Sequence, residues 1–272
     1  MEELRRRRLG KTGLVVTELG LGAMDTPHSP DGPATIAAAL DLGIDFIDTA
    51  REYEGSEYLI GHVLRERTGS GVHLATKTLS RTADGSQWDV DRSLRVLGVE
   101  RIAHYQLHDV STLIAWEEVM GENGALVGLQ TARYRGLIES IGISSHSTEV
   151  LRLAIMCGEF DAVMLEYSAF FTETAPLVAL AAERDIGVIA MRPLGGSGRT
   201  SVMRGRVADG YRGPLTPANL LRYVLSNPGV SVAIPGARHP ARIRENVATA
   251  LGYEPMSDTE RGMLEEEAAS LY

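Results

Sequence analysis

The chain has 272 residues, one cysteine and a formal net charge of −9. The length exceeds the usual domain size, yet α/β barrels routinely reach it as one unit, so a single domain over residues 1 to 272 is expected. The acidic balance offers no field for a nucleic-acid backbone, no apolar run approaches the roughly 20 residues of a membrane span, and Cys157 alone makes neither an internal disulfide nor a cysteine-held cluster; a soluble, reducing, cytoplasmic setting is expected.

The opening Arg5 to Arg8 run is followed by Leu9-Gly10-Lys11-Thr12-Gly13, not by the apolar stretch of a leader. It reads as the outer face of a hairpin strand, with Leu4 to Leu14 forming a β-hairpin cap. From Leu19 onward short apolar runs alternate with helical patterns, as expected of βα units around a parallel sheet. The predicted strands are Leu19 to Gly22, Phe46 to Asp48, His73 to Thr76, Ile102 to Leu107, Ser140 to Ser144, Ala162 to Glu166, Gly187 to Ala190 and Val232 to Pro235. Between and after them run helices at Ala34 to Leu42, Glu57 to Arg67, Val90 to Leu97, Ala125 to Arg133, Thr148 to Met156, Ala175 to Arg184, Pro217 to Leu225 and Pro240 to Ala250. Leu151, Ala154 and Ile155 keep the spacing of a buried stripe, and Pro217 and Pro240 sit where a first helical turn accepts proline. Eight such pairs make an α/β fold of the (β/α)8 TIM-barrel kind, with the hairpin beneath it. Ser257-Asp258-Thr259-Glu260 has the capping-box pattern and predicts a C-terminal extra helix over Ser257 to Leu271.

Barrel sites are built from loops at the C-terminal ends of the strands. Thr26 to Pro33 and Gly195 to Pro214, the loops richest in glycine and proline, are therefore expected to rim the pocket. Asp109 to Gly124 is a third loop expected to shape specificity.

Asp48, Tyr53, Lys77 and His108 stand at or just after three consecutive predicted strands, so a parallel barrel gathers them at one mouth. A phenol near a pKa of ~10 needs a fall of about three units, roughly 4 kcal/mol, to exchange a proton near neutrality. An ammonium at ~4 Å supplies about that much at an effective dielectric of ~20, a task for Lys77. Asp48 opposite it would keep the ammonium charged, and the His108 imidazole can steady oxygen where negative charge develops. Taken singly, each residue has a plainer role: a turn cap, a rim aromatic, a solvated strand end, a satisfied histidine. Together at successive strand ends they point to carbonyl chemistry.

The strings holding them are Gly43-Ile44-Asp45-Phe46-Ile47-Asp48-Thr49-Ala50, Tyr53-Glu54-Gly55-Ser56-Glu57, Ala75-Thr76-Lys77-Thr78 and Gln106-Leu107-His108. With Arg8-Leu9-Gly10-Lys11-Thr12-Gly13-Leu14 before them and Ile243-Arg244-Glu245-Asn246 after, the chain resembles an aldo-keto reductase. The wording Ile143-Ser144-Ser145-His146 and Met191-Arg192-Pro193-Leu194-Gly195-Gly196 is most like a bacterial branch whose members often carry an iron–sulfur appendage, for which Cys157 alone cannot provide. The resemblance implies catalysis by Asp48, Tyr53, Lys77 and His108. It also implies a nicotinamide dinucleotide laid in extended form across the mouth. Gly20-Leu21-Gly22 lacks the third glycine of a Rossmann fingerprint, so a separate dinucleotide fold is not expected. The residues implied to hold the cofactor are Gly22, Ala23, Ser144, Ser145, Met191, Pro193, Leu194, Gly195, Ile234, Gly236, Arg242, Glu245 and Asn246. Ser145 replaces a common asparagine, Met164 a glutamine, Met191 an aromatic residue and Gly236 a lysine. Arg242 can grip a 2′-phosphate, and Arg238 stands nearby, so NADPH is expected before NADH.

Two other classes compete. In a metal-dependent barrel hydrolase His104 and His108 would be ligands, but their spacing is poor and no metal ligand is expected. A cofactor-binding relative without useful catalysis is the second, and turnover with a carbonyl panel separates it from an enzyme. The substrate is expected to be a small carbonyl compound or alcohol; its identity, the physiological direction and the oligomeric state are not legible.

Overall fold

The computed structural model describes residues 3–67, 71–196 and 210–271. Eight parallel strands run in chain order around a barrel: β3 (Leu21–Gly22), β4 (Phe46–Asp48), β5 (His73–Thr78), β6 (Ile102–Leu107), β7 (Ile138–Ser144), β8 (Ala162–Glu166), β9 (Gly187–Met191) and β10 (Val232–Ala233). Parallel bridges from Leu19 to Ala233 and from Gly22 to Gly236 close the seam between first and last strands. Gly22 is required there, because a Cβ on it would stand 2.8 Å from the Ile234 carbonyl oxygen. Helices α1 (Gly32–Asp41), α2 (Ser56–Arg65), α3 (Ala83–Leu97), α4 (Leu113–Met120), α5 (Ala125–Tyr134), α6 (Thr148–Cys157), α7 (Ala175–Glu183), α8 (Pro217–Leu225) and α9 (Pro240–Gly252) surround it. The predicted TIM barrel is thus the observed fold.

Strand alternation divides each stave between two cores. Ile47, Leu74, Tyr105, Ile141, Ile143, Val163, Leu165, Val188 and Ala233 turn outward and pack under the helices. Phe46, Ala75, Ala162, Met164, Ile189, Val232 and Ile234 fill the barrel interior, joined from below by Leu9, Leu14 and Val16 of the hairpin. The same alternation sends Asp48, Lys77 and Gln106 inward at the opposite end. Polar residues at these inward positions find their partners in one another and in the backbone of the rim.

The hairpin pairs β1 (Arg6–Arg8) with β2 (Val15–Thr17), three residues beyond the expected limit at Leu14. It seals the bottom: Gly10, at φ 51°, presses so close that a Cβ would clash with the Gly187 backbone nitrogen. The arginine run is not simply an outer face, since Arg7 points in. It meets Glu18 at 2.6 Å and donates to the Leu225, Asn227 and Val230 carbonyls, tying the bottom together where helices and strands leave carbonyls unpaired.

Two expectations about helices change. α3 begins at Ala83, seven residues before the predicted Val90, because Thr82 caps it by accepting from the Gly85 amide and the polar stretch 84–87 hides the apolar stripe. Half of the expected Asp109 to Gly124 loop is α4, capped by Thr112; with Val119 its one buried residue, it has no stripe to read. The C-terminal helix α10 (Asp258–Ala269) carries the expected capping box of Ser257 and Glu260. Thr26 to Pro33 forms a short turn of 3-10 helix leading into α1, while residues 197–209 of the expected Gly195 to Pro214 rim lie outside the described residues.

Candidate active site

The register of the staves builds the site. Asp48 pairs beside Ala75 and Lys77 beside Gln106, so the carboxylate, ammonium and carboxamide stand on adjacent inward positions. Lys77 Nζ donates to Asp48 Oδ2 at 2.6 Å and to the Thr49 carbonyl at 2.7 Å. Gln106 Nε2 donates to the other Asp48 oxygen at 3.2 Å. Burial pulls the Lys77 pKa down, but Asp48 and then Tyr53 outweigh it, and the net direction is upward; Lys77 is an ammonium at neutral pH. Burial pushes the Asp48 carboxyl up against the pull of Lys77, and the net direction is also upward.

Tyr53 is carried by a tight turn between β4 and α2. The Tyr53 amide bonds to the Ala50 carbonyl, and the Ser56 amide bonds to the Tyr53 carbonyl. Arg51 anchors this turn, its amide donating to the Lys77 carbonyl and its guanidinium pairing with the buried Glu57, which in turn accepts from Thr76 at 2.8 Å. The Lys77 ammonium lies 4.9 Å from the Tyr53 ring centroid, and the His108 ring stands edge-on to it at 5.4 Å. All four predicted catalytic residues therefore meet at one mouth.

The expected fall of the Tyr53 pKa toward neutrality is not found. Burial pushes the phenol up, Lys77 pulls it down, Asp48 pushes it up again, and the net direction is upward. The physical cause is chiefly the loss of solvent around the phenol, with Asp48 beside Lys77 offsetting part of the ammonium's pull. Tyr53 holds its proton at neutral pH.

The residues expected to hold a dinucleotide lie at or just after the C-terminal ends of β3, β7, β9 and β10 and on α9. Gly22 and Gly236 face each other across the seam, and a Cβ at Gly236 would meet only the Gly22 carbonyl oxygen at 3.7 Å, which leaves the floor open. Ala23 is fixed by its amide to the Asp48 carbonyl, and Ser56 donates to its oxygen. Ser144 accepts from the Asp109 amide, and the Ser145 amide reaches the Met164 carbonyl. Met191 and Ile234 lie at the upper edge of the interior core. After β9, Arg192 at φ 52° opens a turn closed by the Gly195 amide on the Arg192 carbonyl; Pro193 is buried and Leu194 packs against the outer core. On α9, Asn246 is buried, whereas Arg242 and Glu245 are exposed and pair at 2.6 Å. Arg238 lies 3.4 Å from Asp25, so its charge is partly engaged by the first loop.

Residues 18–207 match the model of the Aldo/keto reductase family. The chain belongs to that family. It is therefore an enzyme, an NAD(P)H-dependent oxidoreductase. The reductase is 26% identical over 287 residues to an uncharacterized oxidoreductase, YqkF, of Bacillus subtilis strain 168, covering 91% of each chain. Its fold matches the holo form of an aldo-keto reductase, AKR11C1, from Bacillus halodurans at a TM-score of 0.80 and 23% identity, over 97% of this chain and 96% of that one. It also matches an aldo-keto reductase from Klebsiella pneumoniae solved in complex with NADPH, at a TM-score of 0.79 and 22% identity over 97% and 95%. At such identities the two structures speak for the fold.

Three residues of the reductase's mouth escaped the sequence reading. Glu52 Oε2 lies 3.0 Å from His108 Nδ1, Gln106 holds Asp48, and the Thr49 carbonyl receives Lys77. Gln106 had a signal, standing two residues before His108 on the same face of β6. Glu52 had none beyond its place next to Tyr53. His104 and His108 do not share a site: His104 is buried in the barrel with Nδ1 2.8 Å from Ser140, whereas His108 lies at the rim. A cavity of about 460 Å³ lies at the opposite end of the barrel, lined by Arg65, His73, Gly98, Arg101 and Glu139. It contains none of the four convergent groups, and the reductase's site is assigned by chemistry, not by size.

Proposed function

We propose that this reductase interconverts a small aldehyde, ketone or aldose with the corresponding alcohol, using NADPH, with NADH as a possible substitute. The observation that carries the reading is the convergence of Tyr53, Lys77 and His108 within 5.4 Å of the phenol ring. The open space over Gly236, the Ser144-Ser145 turn and Arg242 at the start of α9 suit a long anionic dinucleotide, whose 2′-phosphate Arg242 would meet if it left Glu245. When bound, that cofactor supplies or accepts a hydride at the substrate carbon.

Everything else falls to the chain. In the reducing direction Tyr53 gives its proton to the carbonyl oxygen, and Lys77, kept charged by Asp48, stabilises the phenolate left behind until solvent restores the proton. His108 orients the substrate's oxygen functions beside the phenol. In the oxidising direction the same proton moves back. A cytoplasmic setting, in keeping with the single cysteine, belongs to this reading; among the described residues no helix is long and apolar enough to cross a membrane.

The test is consumption of NADPH and of NADH against a panel of aldehydes, ketones and aldoses. Turnover of at least one class, with NADPH preferred, is expected. Tight NADPH binding with no turnover of any of them would replace the catalytic reading by a cofactor-binding one.

A further inference from the structure

Behind Lys77, on the outer face of β5, stands a second ionic cluster that the reaction as described does not use. Strand alternation turns Lys77 into the barrel and its neighbours Thr76 and Thr78 outward beneath the helices, where both are fully buried. Thr76 Oγ1 donates to Glu57 Oε1 of α2 at 2.8 Å, and Thr78 Oγ1 donates to Asp89 Oδ2 of α3. Arg51 stands between the two carboxylates. Its Nη1 donates to Glu57 Oε2, and its Nε lies 3.6 Å from Asp89 Oδ1, an ion pair without a hydrogen bond. The side chains of Arg51, Glu57 and Asp89 are 15%, 3% and 20% exposed.

Two carboxylates around one guanidinium, largely out of water, gain little over apolar residues of like size. What sets this cluster apart is where its members are attached. Arg51 lies two residues before Tyr53 in the same turn, and its amide donates to the Lys77 carbonyl at 3.1 Å. The two threonines grip β5 on either side of Lys77, one from α2 and one from α3. Burial works against the Arg51 charge, but Glu57 and then Asp89 outweigh it, and the net direction is upward. A charged guanidinium thus ties the turn that carries the phenol to the strand that carries the ammonium, from outside the barrel.

We propose that Thr76, Glu57 and Asp89 are positioning residues, a brace that acts through Arg51 to set the spacing between the Lys77 ammonium and the Tyr53 phenol. This rests on the reading of Tyr53 as the acid. The ammonium stands 4.9 Å from the Tyr53 ring centroid, and its attraction for a phenolate falls as that spacing grows. A misplacement of about 1 Å, caused far from the chemistry, is enough to cost rate. None of the brace residues is among those expected to hold the dinucleotide, so cofactor binding should not depend on them.

Thr76→Val keeps the shape and removes the hydroxyl, whereas Thr76→Ser keeps the hydroxyl. On whichever carbonyl compound the unmodified enzyme reduces best, Thr76→Val and Glu57→Gln should each lower kcat about tenfold, with KM and NADPH affinity little changed. The pH–rate profile should move upward, because less of the ammonium's pull reaches the phenol, and Thr76→Ser should restore both rate and profile. A tie that serves stability alone would lower the melting temperature and move neither; that result overturns the proposal, as does a loss confined to KM. In a Tyr53→Phe background Thr76→Val should cost nothing further, since the phenol it positions is gone, and equal losses in both backgrounds also overturn it. Crystal structures of Thr76→Val and Thr76→Ser read the spacing without turnover: the distance from Lys77 Nζ to the Tyr53 hydroxyl should lengthen in the first and return in the second. An unchanged distance in Thr76→Val overturns the brace, whether or not Glu57→Gln folds. Should Tyr53→Phe keep near-native turnover, the functional reading fails, and the measured spacing still decides what the cluster does.

Discussion

Lys77 Nζ stands 2.6 Å from Asp48 Oδ2, with the two side chains 0% and 3% exposed. A buried pair of this kind gains little over well-packed apolar residues, but breaking it strands a charge. Its place in the mouth, beneath Tyr53, suggests that it is kept for chemistry.

Lys77→Met should therefore do two separable things. Stability should fall by about 3 to 5 kcal/mol, because Asp48 would keep only Gln106 as a partner. Urea unfolding of Lys77→Met and of Lys77→Met with Asp48→Asn checks this, the double variant recovering part of the loss. Activity of the single variant should fall too, and its pH–rate profile should move upward, since the one group pulling the phenol pKa down is gone. An unmoved profile with only a raised KM would make Lys77 a substrate-binding group.

Tyr53→Phe removes the proton and little else, because the turn is held by its backbone and by Arg51. Turnover should drop on the order of 100-fold or more while NADPH affinity stays close to that of the unmodified enzyme. Near-native turnover on any good substrate would rule the phenol out as the acid.

Arg242→Ala tests the dinucleotide reading. A charge-assisted contact with a 2′-phosphate is worth roughly 1.5 to 3 kcal/mol, so NADPH affinity should weaken by about 10- to 150-fold and NADH affinity should barely change. Glu245→Ala frees the guanidinium from its 2.6 Å partner and should, if anything, tighten NADPH. Calorimetric titration of both cofactors distinguishes these outcomes; equal losses for the two would remove the phosphate contact.

His104 gives the fold an acid weakness. Burial, and then the charge of Lys77, lowers its pKa from 6.5 to about 3, so the unfolded chain binds a proton that the folded chain refuses. The stability present at neutral pH is lost as the pH falls from about 6.5 toward 3, at up to roughly 1.4 kcal/mol per pH unit. His104→Leu should flatten the stability curve over this window. Chemical unfolding at several pH values reads it, and equal slopes for both proteins would exclude His104 as the cause.

Much of this architecture follows from local pattern. The staves Phe46–Asp48, Ile102–Leu107 and Ala162–Glu166 and helix α8 occupy their predicted residues, because apolar runs of that length between helical stretches have few other ways to bury themselves. Elements whose apolar stripe is weak were misread: α4 has one buried residue, and α3 begins in a polar turn set by Thr82.

The sequence by itself determined which groups reach the mouth, since period-two alternation and parallel order together send Asp48, Lys77 and His108 to one end. Only the tertiary structure decided what those groups do to one another. The competition between burial and charge at Tyr53 depends on how far the phenol is shielded from solvent and how close Lys77 and Asp48 stand to it, and that is fixed by packing, not by spacing along the chain. Arg7 likewise reads as one of four surface arginines until the barrel bottom closes around it. Glu52 meets His108 across 56 positions, a contact that no local pattern encodes because it exists only when the turn after β4 folds over the end of β6.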